Sequence, residues 1–346
     1  MTAARASTRG DTSSEGGRPD AQARAVLDER ARAGVESMRE APVAVSRAAQ
    51  WAWIPYMGEV EPVGRCETRF VPAPTAEIPV RVYTPGGAGP FPALVMFHGG
   101  CWIVGNLDLA DRPHRALANA TGCVVVAVNY QKAPEHPFPV PLDDCFAGFA
   151  WTVEHAAELD VDPARIGVAG DSAGGNLAAA VCLKARRDGG PVPSFQVLIY
   201  PALDCKLDTP SAHEYGDGFG LTRADMVWSW DQYLPDPRER ANPLACPLRA
   251  RELTGLPPAV VVTAEFDVLR DDGLRYADRL EEAGVPVVRH HYAGTIHGFL
   301  WMAAAIDQCR RMLADVAGDI AALAPPASAP DGDGPDHPND RNEAPR

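Results

Sequence analysis

Six short apolar runs punctuate this sequence: Ala93 to Phe97, Cys123 to Asn129, Arg165 to Ala169, Phe195 to Tyr200, Ala259 to Ala264 and Val287 to His291. Most are continuous rather than alternating. A strand with one wet face alternates apolar and polar residues, whereas a continuous run has to be covered on both sides. Helix-forming stretches separate several of the runs, which predicts a mostly parallel central sheet flanked by helices, an α/β domain. Two β-like segments, Cys66 to Val71 and Ile78 to Thr84, precede the runs, and no internal repeat is visible. The length of 346 residues is compatible with two or three domains or with one large α/β domain.

The flanks divide the chain further. Residues 1–20 and 325–346 are dense in Pro, Gly, Asp, Asn and Ser and are expected to be disordered tails. Residues 21–55 carry helix formers at helical spacing and precede every strand signal. Residues 56–324 hold the sheet, interrupted at about 204–250 by an interval with helix signals but no convincing strand, which reads as an insertion above the sheet. The net charge of -14 excludes the basic footprint that nucleic acid or an anionic membrane surface requires. The N-terminus lacks the apolar core of a secretory signal, and no window reaches membrane-span length, so a soluble cytoplasmic protein is expected. Eight scattered cysteines without a C-x-x-C pair read as reduced, buried thiols rather than disulfides or a metal site.

The chemistry gathers around "GVAGDSAGGNLAAAV", where a β-compatible run turns into a helix-forming one. Gly170-Asp171-Ser172-Ala173-Gly174 fits G-x-S-x-G, in which a sharp strand-to-helix turn lifts a serine for attack and flanking glycines remove clashing Cβ atoms. A serine hydroxyl needs a base. Of nine histidines, His297 in "AGTIHGF" follows the last strand run and lies in a glycine-flanked loop. His290 and His291 lie inside that run, His114 and His136 look structural or surface-bound, and His337 is in the tail. The third member has to orient the imidazole, and Asp267 in "AEFDVLRDDG" follows a strand run, whereas Asp271 and Asp272 stand where a helix begins and suit N-capping. The chain order Ser172, Asp267, His297 is that of the α/β hydrolases. The loop His98-Gly99-Gly100-Cys101-Trp102, directly after the run "ALVMFH", supplies candidate oxyanion donors in Gly99, Gly100 and Cys101, joined by the Ala173 amide.

Taken together, "HGGCW", "VNYQKAPEHPFP", "DPARIGVAGDSAGGNLAA", "LIYPALD", "EFDVLRDDG" and "HGF" resemble, in order, the hormone-sensitive lipase-like carboxylesterases of bacterial family IV, over about Pro92 to Ala322. The resemblance implies an α/β-hydrolase fold with a helical cap built from the N-terminal helices and the 204–250 insertion. It also implies Ser172 as nucleophile, His297 as base and acid, Asp267 as orienting carboxylate, and Gly100, Cys101 and Ala173 as oxyanion donors. Cys101 stands where the family usually has a third glycine, and Gln131 and Lys132 replace an arginine and an apolar residue. The expected activity is hydrolysis of short- to medium-chain carboxylic esters without metal or organic cofactor. Amide deacetylation or acyl transfer would use the same triad, and a non-catalytic receptor is a further alternative. The expected partner is a small-molecule ester, with a homodimer also considered. Trp102, Phe219 and Trp228 are candidate pocket residues, with Trp51, Trp53 and Trp230 as further cap aromatics, most of which would pack the cap itself.

Overall fold

The structure, a computed structural model, describes residues 8–9, 17–34 and 37–325. The remainder of both expected tails lies outside the described residues. In chain order the elements are β1 (Thr8–Arg9), α1 (Ala21–Arg32), α2 (Val43–Ala49), β2 (Arg65–Pro72), β3 (Glu77–Thr84), β4 (Phe91–Phe97) and α3 (Asp111–Thr121). There follow β5 (Val124–Val128), α4 (Val140–Glu154), β6 (Val161–Asp171), α5 (Ala173–Asp188) and β7 (Gln196–Ile199). The chain closes with α6 (Pro210–Glu214), α7 (Arg223–Tyr233), β8 (Ala259–Phe266), α8 (Arg270–Glu282), β9 (Val287–Ile296) and α9 (Gln308–Leu323).

The strands form one sheet in the order β1-β9-β8-β7-β6-β4-β5-β3-β2. Among the described residues only the β2–β3 and β3–β5 pairings are antiparallel. The continuous runs are explained by which face each residue serves. In β5, Val124, Val126 and Val128 join one apolar cluster with Phe149 of α4, Leu177 of α5 and Tyr276 of α8. Val125 and Ala127 join a second cluster with Leu117 of α3 and Met312 and Val316 of α9. The strand period of two thus feeds two cores, one on each side of the sheet.

Two expectations shift. Thr8–Arg9, placed by sequence in a polar tail, pairs in parallel with Arg289 and His290 along the outer edge of β9. β8 and β9 also run further than their apolar cores, to Phe266 and Ile296, so Asp267 and His297 are the first residues beyond their strands. The 204–250 interval contains α6, α7 and short 3₁₀ turns and no strand. α7 starts with a reciprocal cap: Thr222 Oγ1 accepts the Asp225 N–H at 3.0 Å and donates to Asp225 Oδ2 at 2.6 Å.

Candidate active site

The adjacency of β6 and β4 sets the turn after β6 beside the loop after β4, at the carboxyl ends of parallel strands. Ser172 occupies that turn with φ 57° and ψ −118°, a conformation outside the ordinary regions for an L-residue. Its N–H donates to the Ile199 carbonyl at 2.9 Å, and its own carbonyl accepts from Asn176 and Ala202. The flanking glycines are required by space. A Cβ at Gly170 would sit 2.1 Å from the Gly174 carbonyl oxygen, and one at Gly174 would sit 1.9 Å from that of Phe97.

The turn aims the serine at a histidine. Ser172 Oγ lies 3.0 Å from His297 Nε2, and His297 Nδ1 lies 2.8 Å from Asp267 Oδ2. Asp267 is buried, and its other oxygen accepts the Leu269 N–H at 2.8 Å, so its orientation is fixed from both ends. The Tyr200 ring packs against the imidazole with centroids 4.7 Å apart. His290 instead faces buried Asp319, and His114 is enclosed under α3, where burial pushes its pKa down to about 4.

The amides expected to receive negative charge divide into two groups. Gly99 N–H donates to Asp171 Oδ1 at 2.8 Å, so Gly99 is corrected from an oxyanion donor to an anchor of the loop. Among the described residues, the amides of Gly100, Cys101 and Ala173 donate to no protein acceptor. The loop is held from behind as well: His98 stacks on Tyr130 with centroids 4.6 Å apart, and the Tyr130 hydroxyl donates to the His98 carbonyl at 2.8 Å. Burial holds His98 well below the usual imidazole range, so it stays neutral. Cys101 adopts φ 55°, the left-handed region that favours glycine. Burial pushes its thiol up to about 12, which keeps it protonated and a poor nucleophile.

Ser172, His297, Gly100 and Cys101 open into a cavity of about 520 Å³. Its walls come from α1 (Leu27, Arg30), α2 (Val45, Ala49) and the insertion (Leu221, Asp225), with Trp53 and Trp301. The three pocket aromatics expected from sequence do not line it. Trp102, at φ 60°, turns into the core and stacks on Tyr233 with centroids 4.5 Å apart and planes 3° from parallel. Phe219 stacks on Phe266, and Trp228 packs against Ile103, Val104 and Ala133. Of the other cap aromatics, Trp53 lines the cavity, Trp230 is buried beside Trp102, and Trp51 is exposed.

Sequence reasoning missed three supports. Asp171 Oδ2 accepts the Trp301 indole N–H at 2.8 Å while Oδ1 holds Gly99, making one buried carboxylate the tie between serine turn, oxyanion loop and the segment after His297. Asn176 Nδ2 donates to the Ala202 and Ala245 carbonyls at 2.9 Å each, bonding α5 to the far end of the insertion. Trp53 packs under Arg30, whose guanidinium carbon lies 3.8 Å from the ring centroid. The acidic residue inside G-x-S-x-G is the one local signal for Asp171, since a carboxylate beside a buried turn needs donors.

Comparison with known proteins agrees with this geometry. Residues 94–301 match the family model described as alpha/beta hydrolase fold. The carboxylic ester hydrolase LipN of Mycobacterium tuberculosis is 44% identical over 236 residues, 66% of this chain and 63% of that protein, so the chain spans less than two thirds of LipN. An arylesterase of Saccharolobus solfataricus is 37% identical over 261 residues, covering 75% of this chain and 85% of that protein. The solved structure of an ester hydrolase from the metagenome of Lake Arreo, in complex with a bipyridine phosphonate derivative, superposes with a TM-score of 0.84 at 38% identity, covering 88% of this chain and 98% of that one. With the fold, the strand-end placement and these relatives in agreement, the chain belongs to the alpha/beta hydrolases, in the hormone-sensitive lipase-like branch of carboxylic ester hydrolases.

Proposed function

We propose that this protein is a serine carboxylesterase acting on short- to medium-chain carboxylic esters, with Ser172 as nucleophile, His297 as base and acid, and Asp267 as the orienting carboxylate. The observation that carries the reading is the unbroken hydrogen-bonded line from Ser172 through His297 to buried Asp267, opening into a cavity beside three uncommitted amides. The names of the relatives, carboxylic ester hydrolase, arylesterase and ester hydrolase, support the ester as substrate class. In this reading α1, α2 and the 204–250 insertion form a cap, and the enzyme is cytoplasmic. Among the described residues no helix is long and apolar enough to cross a membrane.

His297 Nε2 takes the Ser172 proton as Oγ attacks the ester carbonyl carbon. Charge develops on the carbonyl oxygen, where the Gly100, Cys101 and Ala173 amides stabilise it; one such donor is worth about 10²–10³ in rate in related chemistry. His297 then returns the proton to the leaving alkoxide, and the same side chain activates a water that releases the acid from Ser172. Asp267 fixes the tautomer with the proton on Nδ1 and stabilises the imidazolium that forms.

The test is turnover of p-nitrophenyl esters from acetate to decanoate by wild type and Ser172→Ala, with mass spectrometry after a fluorophosphonate. Expected are activity that falls with chain length, a loss of at least about 10³-fold in the variant, and a single adduct on Ser172. An adduct without ester turnover would move the reading to amide cleavage or acyl transfer; no adduct would remove Ser172 as nucleophile.

A further inference from the structure

Cysteine chemistry outside the ester site is concentrated at the stem of the insertion. Cys205 stands just past the end of β7, and Cys246 lies where the insertion returns to the sheet. The two sulfurs and a carboxylate oxygen of Asp204 lie within 4.8 Å of one another. The stem is already drawn together there: Leu248 N–H donates to the Leu203 carbonyl at 3.1 Å, and Arg249 pairs with Asp204 at 2.8 Å.

The set invites a metal, and its electrostatics argue otherwise. Arg249 already neutralises Asp204, and its guanidinium would face any cation placed between the sulfurs. The same positive charge favours a thiolate. The hydrogen bond with Cys246, followed by the charge of Arg249, pulls the Cys205 thiol down, the reverse of burial's effect on Cys101, Cys123, Cys145, Cys182 and Cys309. Burial divides the pair: Cys205 is half-buried, whereas Cys246 is fully buried. Cys66, the one exposed cysteine, has its thiol raised by desolvation.

We propose that Cys205 and Cys246 form an oxidant-responsive thiol pair that closes to a disulfide and staples the stem of the 204–250 insertion. The oxidant is hydrogen peroxide. Cys205 sulfur attacks the peroxide O–O bond, forming S–O and releasing water, to give a sulfenic acid. Cys246 sulfur then attacks Cys205, the S–S bond forms, the S–O bond breaks and a second water leaves with the Cys246 proton, so two thiols lose two electrons to one peroxide. The link closes a loop that carries Leu221, Thr222 and Asp225 on the cavity wall, and so constrains the roof of the ester site.

Reduced full-length protein is treated with hydrogen peroxide, quenched, unfolded, alkylated and peptide-mapped. Expected are a reductant-sensitive peptide joining Cys205 to Cys246, alkylation of the other six cysteines, and a thermal midpoint higher by about 5 °C than in the reduced form. In Cys205→Ser and Cys246→Ser both the linked peptide and the shift are lost, while Cys205→Ser keeps the ester turnover of wild type. Full alkylation of both thiols overturns the proposal, as does a sulfinic acid at Cys205 beside free Cys246, or a link involving Cys101. Stoichiometric zinc on the untreated protein that shields both sulfurs overturns it as well. If the variants fail to fold, the wild-type peptide map decides alone.

Discussion

Asp171 accepts the backbone N–H of Gly99 at 2.8 Å, across 72 positions of sequence, and this bond sets the oxyanion loop against the serine turn. The carboxylate is buried, and desolvation raises its pKa, opposed by the two hydrogen bonds it receives from Trp301 and Gly99. Its contribution is positional: it occupies the Gly99 amide, while the Gly100 and Cys101 amides, which donate to no protein acceptor among the described residues, stay open for the proposed oxyanion role.

Asp171→Asn keeps one acceptor oxygen but has to turn an amide N–H₂ toward either Gly99 N–H or Trp301 Nε1, each itself a donor. The expected result is a kcat lower by about 10–100-fold with little change in KM, and a stability loss of about 1–3 kcal/mol from the donor left unpaired. Steady-state kinetics on p-nitrophenyl acetate with urea unfolding checks both. Unchanged kcat would mean that the loop holds its shape without this tie.

Cys101 sits at φ 55° on the cavity wall, where glycine would fit without strain. Cys101→Gly removes the thiol volume and strain of about 1 kcal/mol, offset by a similar entropic cost in the unfolded chain. Stability is therefore expected to change by less than about 1 kcal/mol, while kcat/KM for branched acyl esters rises relative to acetate. Competition between p-nitrophenyl pivalate and acetate measures that ratio. A ratio equal to that of wild type would show that the thiol does not bound the acyl site.

Much of this architecture is legible locally. β5 and β8 read as strands because β-branched runs buried on both faces have few other ways to fold, and the polar residues that end such runs stand at the carboxyl rim of the sheet. Ser172, Asp267 and His297 are found as neighbours by that logic. Gly99 is not legible as an anchor, because its acceptor is supplied by a strand 72 residues away. Trp102 follows the same rim logic as its loop neighbours and still points elsewhere, because its ring packs on Trp230 and Tyr233, partners more than a hundred residues away in the insertion. The cavity walls from α1 and Trp53 depend on where helices dock, which no local pattern encodes.

That contrast gives a test. Trp102→Ala empties a core position between Trp230 and Tyr233 and is expected to cost about 3–5 kcal/mol of stability. Trp53→Ala, on the cavity wall, is expected to raise KM for longer acyl esters by several-fold with a smaller loss of stability. Urea midpoints and KM across the ester series separate the two. A selective KM effect for Trp102→Ala with normal stability would return that residue to the pocket.

Asp272, at the start of α8, accepts the N–H groups of Leu203 and Asp204 on a single oxygen, at 2.9 and 3.1 Å. Burial raises its pKa to about 7 from an ordinary 3.8, with Asp204 and Asp267 nearby adding to the rise. A carboxyl whose folded pKa exceeds its unfolded value binds more protons when folded. Its stabilising contribution is then full below about pH 4 and is lost as pH rises through about 7. Asp272→Asn places an amide oxygen where both N–H groups are already received and removes the ionisation. The variant is therefore expected to gain on wild type between pH 5 and pH 8, by an amount on the order of a few kcal/mol at the upper end. Urea unfolding of both proteins at each pH gives the difference directly, and subtraction removes the other carboxylates raised by burial, Asp144 and Asp171. A difference that stays constant with pH would mean that Asp272 is ionised throughout, and that the two amides compensate for its desolvation.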